Sequence, residues 1–376
     1  MTPRTIKRWY FVHKWTSLIC TLFLLLLCVT GLPLIFHDEI DGLLGGPEAA
    51  AAAPAGAKPD LDWIAAQARR GHPGQVLTFL SWDLDEPIIT ATVASSFRAA
   101  KTQSEAFDAR TGTPLAADPS YRKVSDFLLE LHETLFLGLP GELFLGMMGL
   151  LLIVALVSGV VIYVPFMRRL DFATVRRNRG SRLKWLDLHN LIGIVTLAWL
   201  TVVGVTGVIN TLTKPAAALW QGSELVDMVR PYRSLPPPKS FASLNLVVGN
   251  VLRASPGMSI ESIAFPGTPF ASQRHFTVFL RGSTPVTRRL IAPTLVDAGT
   301  GQVVDARAMP LYVKTLFLSQ PLHFGDYAGL PLKVLWGLLD LAAIVILGSG
   351  VYLWLGRRRV PLDRRVDELI HAGVQS

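Results

Sequence analysis

Residues 15–36 read WTSLICTLFLLLLCVTGLPLIF, a stretch without a single charge. At ~1.5 Å per residue, a helix of that length crosses a ~30 Å hydrocarbon core. Three runs of the same kind follow, Leu143–Val164, Leu191–Leu212 and Val334–Leu355. The chain of 376 residues is 50% hydrophobic and 17% charged, a balance foreign to an ordinary soluble domain. Arg4, Lys7, Arg8 and Lys14 precede the first run as they would in a signal peptide. The run is too long for that, however, and no small-residue cleavage site follows at once. The Ala49–Ala57 tract comes too late and reads as a linker. The first run is therefore a retained helix, and four transmembrane helices are expected.

The net charge of +8 is concentrated in three places. One is the N-terminus. A second is the loop with Arg168, Arg169, Arg176, Arg177, Arg179, Arg182 and Lys184. The third is the tail with Arg357, Arg358, Arg359, Arg364 and Arg365. In a four-span protein all three fall on one side, which the positive-inside rule makes cytoplasmic. Short juxtamembrane clusters account for these charges better than nucleic acid does. Both termini are then inside, and the long loops Asp38–Tyr121 and Thr213–Gln320 are outside.

The expected order begins with a cytoplasmic N-terminus (1–12), helix one (13–37) and a first outer module (38–130). An interfacial segment with helix two (131–166), a basic loop (167–186) and helix three (187–212) come next. A second outer module (213–321), an interfacial segment with helix four (322–356) and a cytoplasmic tail (357–376) complete it. Cys20 and Cys28 both lie in the first run, ~12 Å apart on a helix, too far to bridge. They read as small apolar packing residues.

The second half repeats the first. His13 is followed seventeen and eighteen residues later by Thr30-Gly31, and His189 at the same offsets by Thr206-Gly207. Asp108-Ala-Arg-Thr-Gly112 matches Asp297-Ala-Gly-Thr-Gly301. His132 precedes Gly138-Leu-Pro140 and Ser158-Gly159-Val160, and His323 precedes Gly329-Leu-Pro331 and Ser349-Gly350-Val351 at identical offsets. Two units of like orientation imply a pseudo-two-fold axis along the membrane normal. The expected fold is thus a membrane all-α four-helix bundle with two small α+β outer modules, built from two parallel pseudo-symmetric repeats. In each module one helix (Leu61–Arg70, Leu244–Ala254) precedes β-rich stretches. These are Gln75–Trp82, Ile88–Ser95 and Ser104–Asp108 in the first, and Ile260–Phe265, Arg274–Arg281 and Val286–Val296 in the second. The Asp-x-x-Thr-Gly segments read as tight turns.

The axis would bring His13 to His189 at the cytoplasmic edge and His132 to His323 at the outer edge. One interfacial histidine is ordinarily an amphipathic residue with a wet tip. Two facing imidazoles between helices make a bis-histidine haem site, so these four are the expected cofactor-binding residues and iron ligands. Copper or zinc would need three or four ligands, and the cysteines lie elsewhere. Gly31 lies five helical turns from His13 on the same face, as Gly207 does from His189. Such a face could admit a flat macrocycle or let helices one and three approach closely. Pro140 and Pro331 are expected to break the path from His132 and His323 into the spans, leaving both on short segments above the hydrocarbon. Lys14, Arg182 and Lys184 inside, and Arg122, Lys123 or Lys333 outside, are candidate partners for haem propionates. His37 has Thr213 as its counterpart, and so an unpaired interfacial role. His72, His275 and His371 form no pattern. Asp340, inside the fourth run, reads equally as a proton-handling or specificity residue and as a hydrogen-bond partner of threonines on a neighbouring helix.

The Asp-x-x-Thr-Gly modules resemble PepSY domains. The patterns His13-Lys-Trp, Leu131-His132-Glu133, Leu188-His189-Asn190 and Leu322-His323-Phe324 resemble those of the PepSY-associated transmembrane family, over nearly the whole chain. That resemblance implies a protein of the bacterial inner membrane with two haem b groups, one near each face. By the same resemblance, it would pass electrons to a ferric siderophore and release Fe(II), which hard oxygen ligands hold weakly. No nucleotide fingerprint occurs and the cytoplasmic segments are too small for a flavin domain, so the donor is a separate soluble reductant or a membrane quinol. The alternatives are a PepSY-type binding or regulatory protein without redox activity, and a siderophore or metal transporter. The few intramembrane polar groups argue against the transporter.

Overall fold

The computed structural model describes residues 2–47, 59–99, 101–116, 123–167, 173–176 and 180–356. The Ala49–Ala57 tract, Arg122, Arg168, Arg169, Arg177, Arg179 and the tail with Arg357–Arg359, Arg364, Arg365 and His371 lie outside these residues. Two compact units form: a helical one of Met1–Ile40, Lys123–Leu212 and Ser319–Ser376, and a sheet unit of Asp41–Arg122 and Thr213–Leu318.

In chain order the first elements are α1 (Pro3–Ile35), α2 (His37–Leu43), α3 (Leu61–Gly71), β1 (Val76–Trp82), β2 (Ile88–Ala94) and β3 (Thr102–Asp108). Then come α4 (Lys123–Thr134), α5 (Leu139–Met167), α6 (Ser181–Asn210), α7 (Thr213–Trp220), a π-helical turn at Gln221–Leu225 and α8 (Val226–Val229). The last are α9 (Leu244–Ala254), β4 (Ser259–Ala264), β5 (His275–Arg281), β6 (Ile291–Asp297), β7 (Val303–Ala306), α10 (Leu311–Phe324) and α11 (Gly329–Leu355). Among the described residues, four helices are long and apolar enough to cross a membrane: α1, α5, α6 and α11.

Helix α1 starts where Thr2 accepts the Thr5 N–H and Pro3 occupies a position that needs no donor. It packs along α5 and α11, and α6 packs along the same two helices. Helix α4 folds onto α1 and α5. The expected break before helix two is real, but proline does not make it. Pro140 and Pro331 lie in the first turns of α5 and α11, where a missing N–H costs nothing. The chain instead turns through left-handed residues, Leu135, Phe136 and Gly138 after α4, and Gly325 and Gly329 after α10.

In the sheet unit, α3 and α9 start where sequence patterning places them, and each helix start caps the other. Asp60 accepts from the Asp62 and Trp63 amides, and Asp62 from the Leu244 amide at 2.7 Å. The Asn245 amide bridges both carboxylates, at 2.9 and 3.0 Å. The strands of both segments form one seven-stranded antiparallel sheet in the order β3-β2-β1-β4-β5-β6-β7. The junction pairs Leu80 with Ile263, both fully buried. Unpaired, β1 and β4 would each expose a hydrophobic edge, and pairing removes both edges at once. Helices α3 and α9 cover one face through Ile64, Ala68, Val247 and Val251 against Leu80, Ile89, Phe107, Phe276 and Val278. On the other face Trp220, Met228 and Met309 cover Phe279 and Leu295, so β5 is buried on both sides. Both Asp-x-x-Thr-Gly turns form as read. Asp108 accepts from the Arg110 and Thr111 amides and Asp297 from the Gly299 and Thr300 amides. Gly112 and Gly301 take the left-handed conformation.

His275 in β5 is fully buried, its Nδ1 2.7 Å from the Ser272 hydroxyl and its ring edge-on to Tyr232. Burial pulls its pKa down from 6.5 to about 4, with Arg274 acting the same way and Asp297 opposing. Between those pH values the unfolded chain binds the proton and the folded one does not. Stability conferred by neutral His275 is therefore complete above pH 6.5 and is lost as pH falls towards 4. In urea unfolding of the whole protein in detergent, His275→Gln should show a smaller loss between pH 7 and pH 4.5 than the parent. An unchanged loss would assign the effect to other groups.

Candidate functional site

Each of the four paired histidines rests in a cradle of the same construction. On α1, His13 turns its Nδ1 to the Ala155 carbonyl of α5 at 2.9 Å, with the Ser158 hydroxyl at 3.3 Å. On α6, His189 turns its Nδ1 to the Ser349 hydroxyl of α11 at 2.9 Å. On α4, His132 places Nδ1 2.9 Å from the Thr30 hydroxyl of α1. On α10, His323 places Nδ1 3.0 Å from the Val203 carbonyl of α6 and 3.2 Å from the Thr206 hydroxyl.

The directions of these bonds follow from the hydroxyls. Each one donates its hydrogen to a carbonyl of its own helix: Ser158 to Val154, Ser349 to Ile346, Thr30 to Leu26 and Thr206 to Val202. A hydroxyl so engaged can only accept, and a carbonyl always accepts. All four Nδ1 atoms therefore carry a proton, and in the neutral ring the lone pair lies on Nε2. This is the tautomer of a metal ligand whose other nitrogen is fixed by an outer hydrogen bond.

A glycine lies against each ring. A Cβ at Gly31 would come 3.1 Å from His132 Cε1, one at Gly207 3.1 Å from His323 Cε1, and one at Gly159 3.2 Å from His13 Cε1. At Gly350 the distance to His189 Cε1 would be 3.6 Å. The glycines at 31 and 207 thus lie against the imidazoles of the outer pair. They admit the imidazoles of His132 and His323, because a side chain there would occupy the ring's place. His132 thus lies beside the Thr30–Gly31 turn of α1.

The rings meet in the expected pairs. The His13 and His189 centroids are 6.5 Å apart with planes at 75°, and those of His132 and His323 are 6.4 Å apart at 66°. Two metal–imidazole bonds of ~2 Å, with a ring radius added at each end, span a little over ~6 Å. Either pair can therefore hold one metal ion from opposite sides. Rotation about the metal–nitrogen axis leaves that distance unchanged, so the steep ring angles do not matter. Among the described residues, no three His, Cys, Asp or Glu side chains gather to hold an ion by themselves. A metal at either pair would take its remaining ligands from elsewhere, as an iron in a porphyrin does. The Gly31 cradle lies eighteen residues along α1 from His13, an axial separation of ~27 Å.

The other singled-out residues are placed separately. His37 bonds to the Leu34 carbonyl at 2.9 Å and to Asp38 at 2.9 Å, and the Asp38 carboxylate raises its pKa. Lys333, read as a propionate partner, instead holds Asp38 at 2.9 Å and Glu39 at 3.2 Å. Lys14 lies over the Trp15 ring. Asp340 meets the Cys28 thiol of α1 rather than a threonine. His72 ends α3. In the sequence the Thr-Gly and Ser-Gly pairs are landmarks of the repeat, with a further role read only for Gly31 and Gly207. Their recurrence once for every paired histidine was the available signal that they receive the rings.

Four helices long and apolar enough to cross a membrane mark a membrane protein, and the paired histidines lie on them or pack against them. Residues 10–357 match the PepSY-associated TM region, and the chain belongs to that family. It is 30% identical over 270 residues to the Uncharacterized protein PA4219 of Pseudomonas aeruginosa. That match covers 64% of this chain and 66% of the relative, a little under two thirds of its length.

Replacing Gly31 or Gly207 by valine should force the facing imidazole out of its cradle and cost ~1–3 kcal/mol of stability, the usual range for overpacking. Gly193→Ala, on α6 with nothing within 4 Å of its Cβ, is the control. Thermal unfolding in detergent reads the difference, and equal midpoints for Gly31→Val and Gly193→Ala would refute the cradle.

Proposed function

We propose that the chain is a di-haem electron carrier of the bacterial inner membrane that reduces ferric siderophores at the outer face. The observation that supports this most directly is the common state of the four histidines. Each pair offers two imidazoles fixed through Nδ1 at a centroid spacing of 6.4–6.5 Å, in an apolar setting. His13 with His189, and His132 with His323, would each hold one haem, whose iron supplies one-electron transfer when bound. The chain's own task is to orient those imidazoles through their Nδ1 atoms. It does so with Ala155, Ser349, Thr30 and Val203 at the four Nδ1 atoms.

On this reading the two halves are parallel repeats, each contributing one histidine to each pair. The matched partners support it: Ser158 and Ser349 serve the first pair, Thr30 and Thr206 the second. The basic segments favour cytoplasmic termini and PepSY-like outer modules. The His13–His189 pair is then the inner centre and receives electrons from a separate reductant. The outer pair delivers them to the ferric siderophore, and the weaker hold of oxygen ligands on Fe(II) releases the iron.

Purified protein should give an oxidised-minus-reduced spectrum with b-type bands of two centres. One set should be lost in His13→Ala/His189→Ala and the other in His132→Ala/His323→Ala. Protein free of haem that still reduces a ferric siderophore would overturn the proposal.

A further inference from the structure

Asp340 is 6% exposed in the apolar interior of α11, and its Oδ2 is buried without a hydrogen-bond partner. Its polar neighbour is the thiol of Cys28 on α1. Cys28 adjoins Leu27, whose carbonyl bonds to His132, and lies one turn from Gly31, on which the His132 ring rests. The carboxyl is thus anchored to the segment of α1 that builds the outer cradle.

Among the described residues, no cation of the helices packed on α11 bonds to it. Helix α1 carries only cysteines as ionisable groups between Lys14 and His37, and α6 carries none between His189 and Asn210. On α11 itself, Lys333 lies two turns outward on the same face and is engaged by Asp38 and Glu39. The outer histidines, held beside the same segment of α1, have their Nδ1 protons committed. A carboxylate so placed is costly unless a positive charge lies near. Propionates aside, the iron–porphyrin core of a ferric bis-imidazole haem carries one positive charge and that of the ferrous form none.

We infer that Asp340 is the redox-linked proton acceptor of the outer centre, ionised when that centre is oxidised and protonated when it is reduced. This rests on the haem reading of the outer pair given above. One electron from the reductant converts Fe(III) to Fe(II), and one proton from the outer aqueous phase converts the Asp340 carboxylate to the acid. The buried region gains no net charge. The His37–Asp38–Glu39–Lys333 cluster, at the outward end of the same face, supplies groups through which that proton exchanges with water. Asp340 acts through the charge it places near the iron and is a positioning residue.

The test is spectroelectrochemistry of the haem-loaded protein carrying His13→Ala/His189→Ala, so that the outer centre is read alone, between pH 5.5 and 9. The midpoint potential should fall by ~59 mV for each tenfold drop in proton concentration over part of that range. It should become independent of pH in Asp340→Asn, with haem content retained, and stay pH-dependent in Asp340→Glu. Redox-difference infrared spectra should show a protonated carboxyl band on reduction that Asp340→Asn lacks. A pH-independent potential in the parent, or an unchanged slope in Asp340→Asn, overturns the inference while leaving the haem reading intact. Protein that takes up no haem at the outer pair overturns both.

Discussion

The site depends on one hydrogen bond made four times, from a histidine Nδ1–H to an oxygen that cannot give a proton back. In water an imidazole exchanges tautomers freely. Inside an apolar bundle the tautomer is set by whichever partner is available, and here every partner is an acceptor. The acceptors arise from a habit of buried helices. Serine and threonine donate to the carbonyl one turn back, as Thr21, Thr196 and Thr201 also do without meeting a histidine. A hydroxyl satisfied in this way presents only lone pairs to the neighbouring helix. Placed opposite a histidine, it fixes the ring with no charged residue, which suits a medium where charge is costly.

The glycine beside each hydroxyl completes the device. Thr30-Gly31, Ser158-Gly159, Thr206-Gly207 and Ser349-Gly350 each set an acceptor next to a gap in the side-chain surface. The acceptor fixes the ring's rotation and the gap fixes its depth. Both are needed to hold a ring at the spacing of a two-sided ligand site. A ring that could slide outward or flip would present Nδ1, or nothing, to its partner.

Much of this was legible in the sequence, for identifiable reasons. The spans follow from unbroken apolar length. The pairing of His13 with His189 and His132 with His323 follows from repeat offsets, which a single lone histidine could never give. Helix α9 ends where its amphipathic spacing ends, and the Asp108 and Asp297 turns follow from side-chain capping. Other parts were not legible. Helix α4, Lys123–Thr134, mixes charge with apolar residues and reads as a connecting segment, although it carries a site residue. Strand β7 is only four residues long and owes its existence to pairing with β6. The stretch from Thr287 to Arg289 has strand-like neighbours, but Thr284 and Thr287 bond to each other and hold a 3₁₀ turn, which delays β6 to Ile291. The pairing of β1 with β4 joins residues far apart in sequence, a relation that local patterning does not encode.

The same economy of charge explains why Asp340 stands out among the intramembrane residues. Buried hydroxyls in the spans bond to their own helices, and Lys333 is closed off by Asp38 and Glu39. Polar groups that answer to nothing nearby are therefore few, and each carries information. Trp199 and Trp336 also bury indole nitrogens without partners. They remain neutral whatever the redox state nearby, so they cannot compensate an added electron. A carboxyl can, by taking up a proton. On the proposed haem reading, Asp340 is the group among the described intramembrane residues whose charge follows that of an iron held at the outer pair.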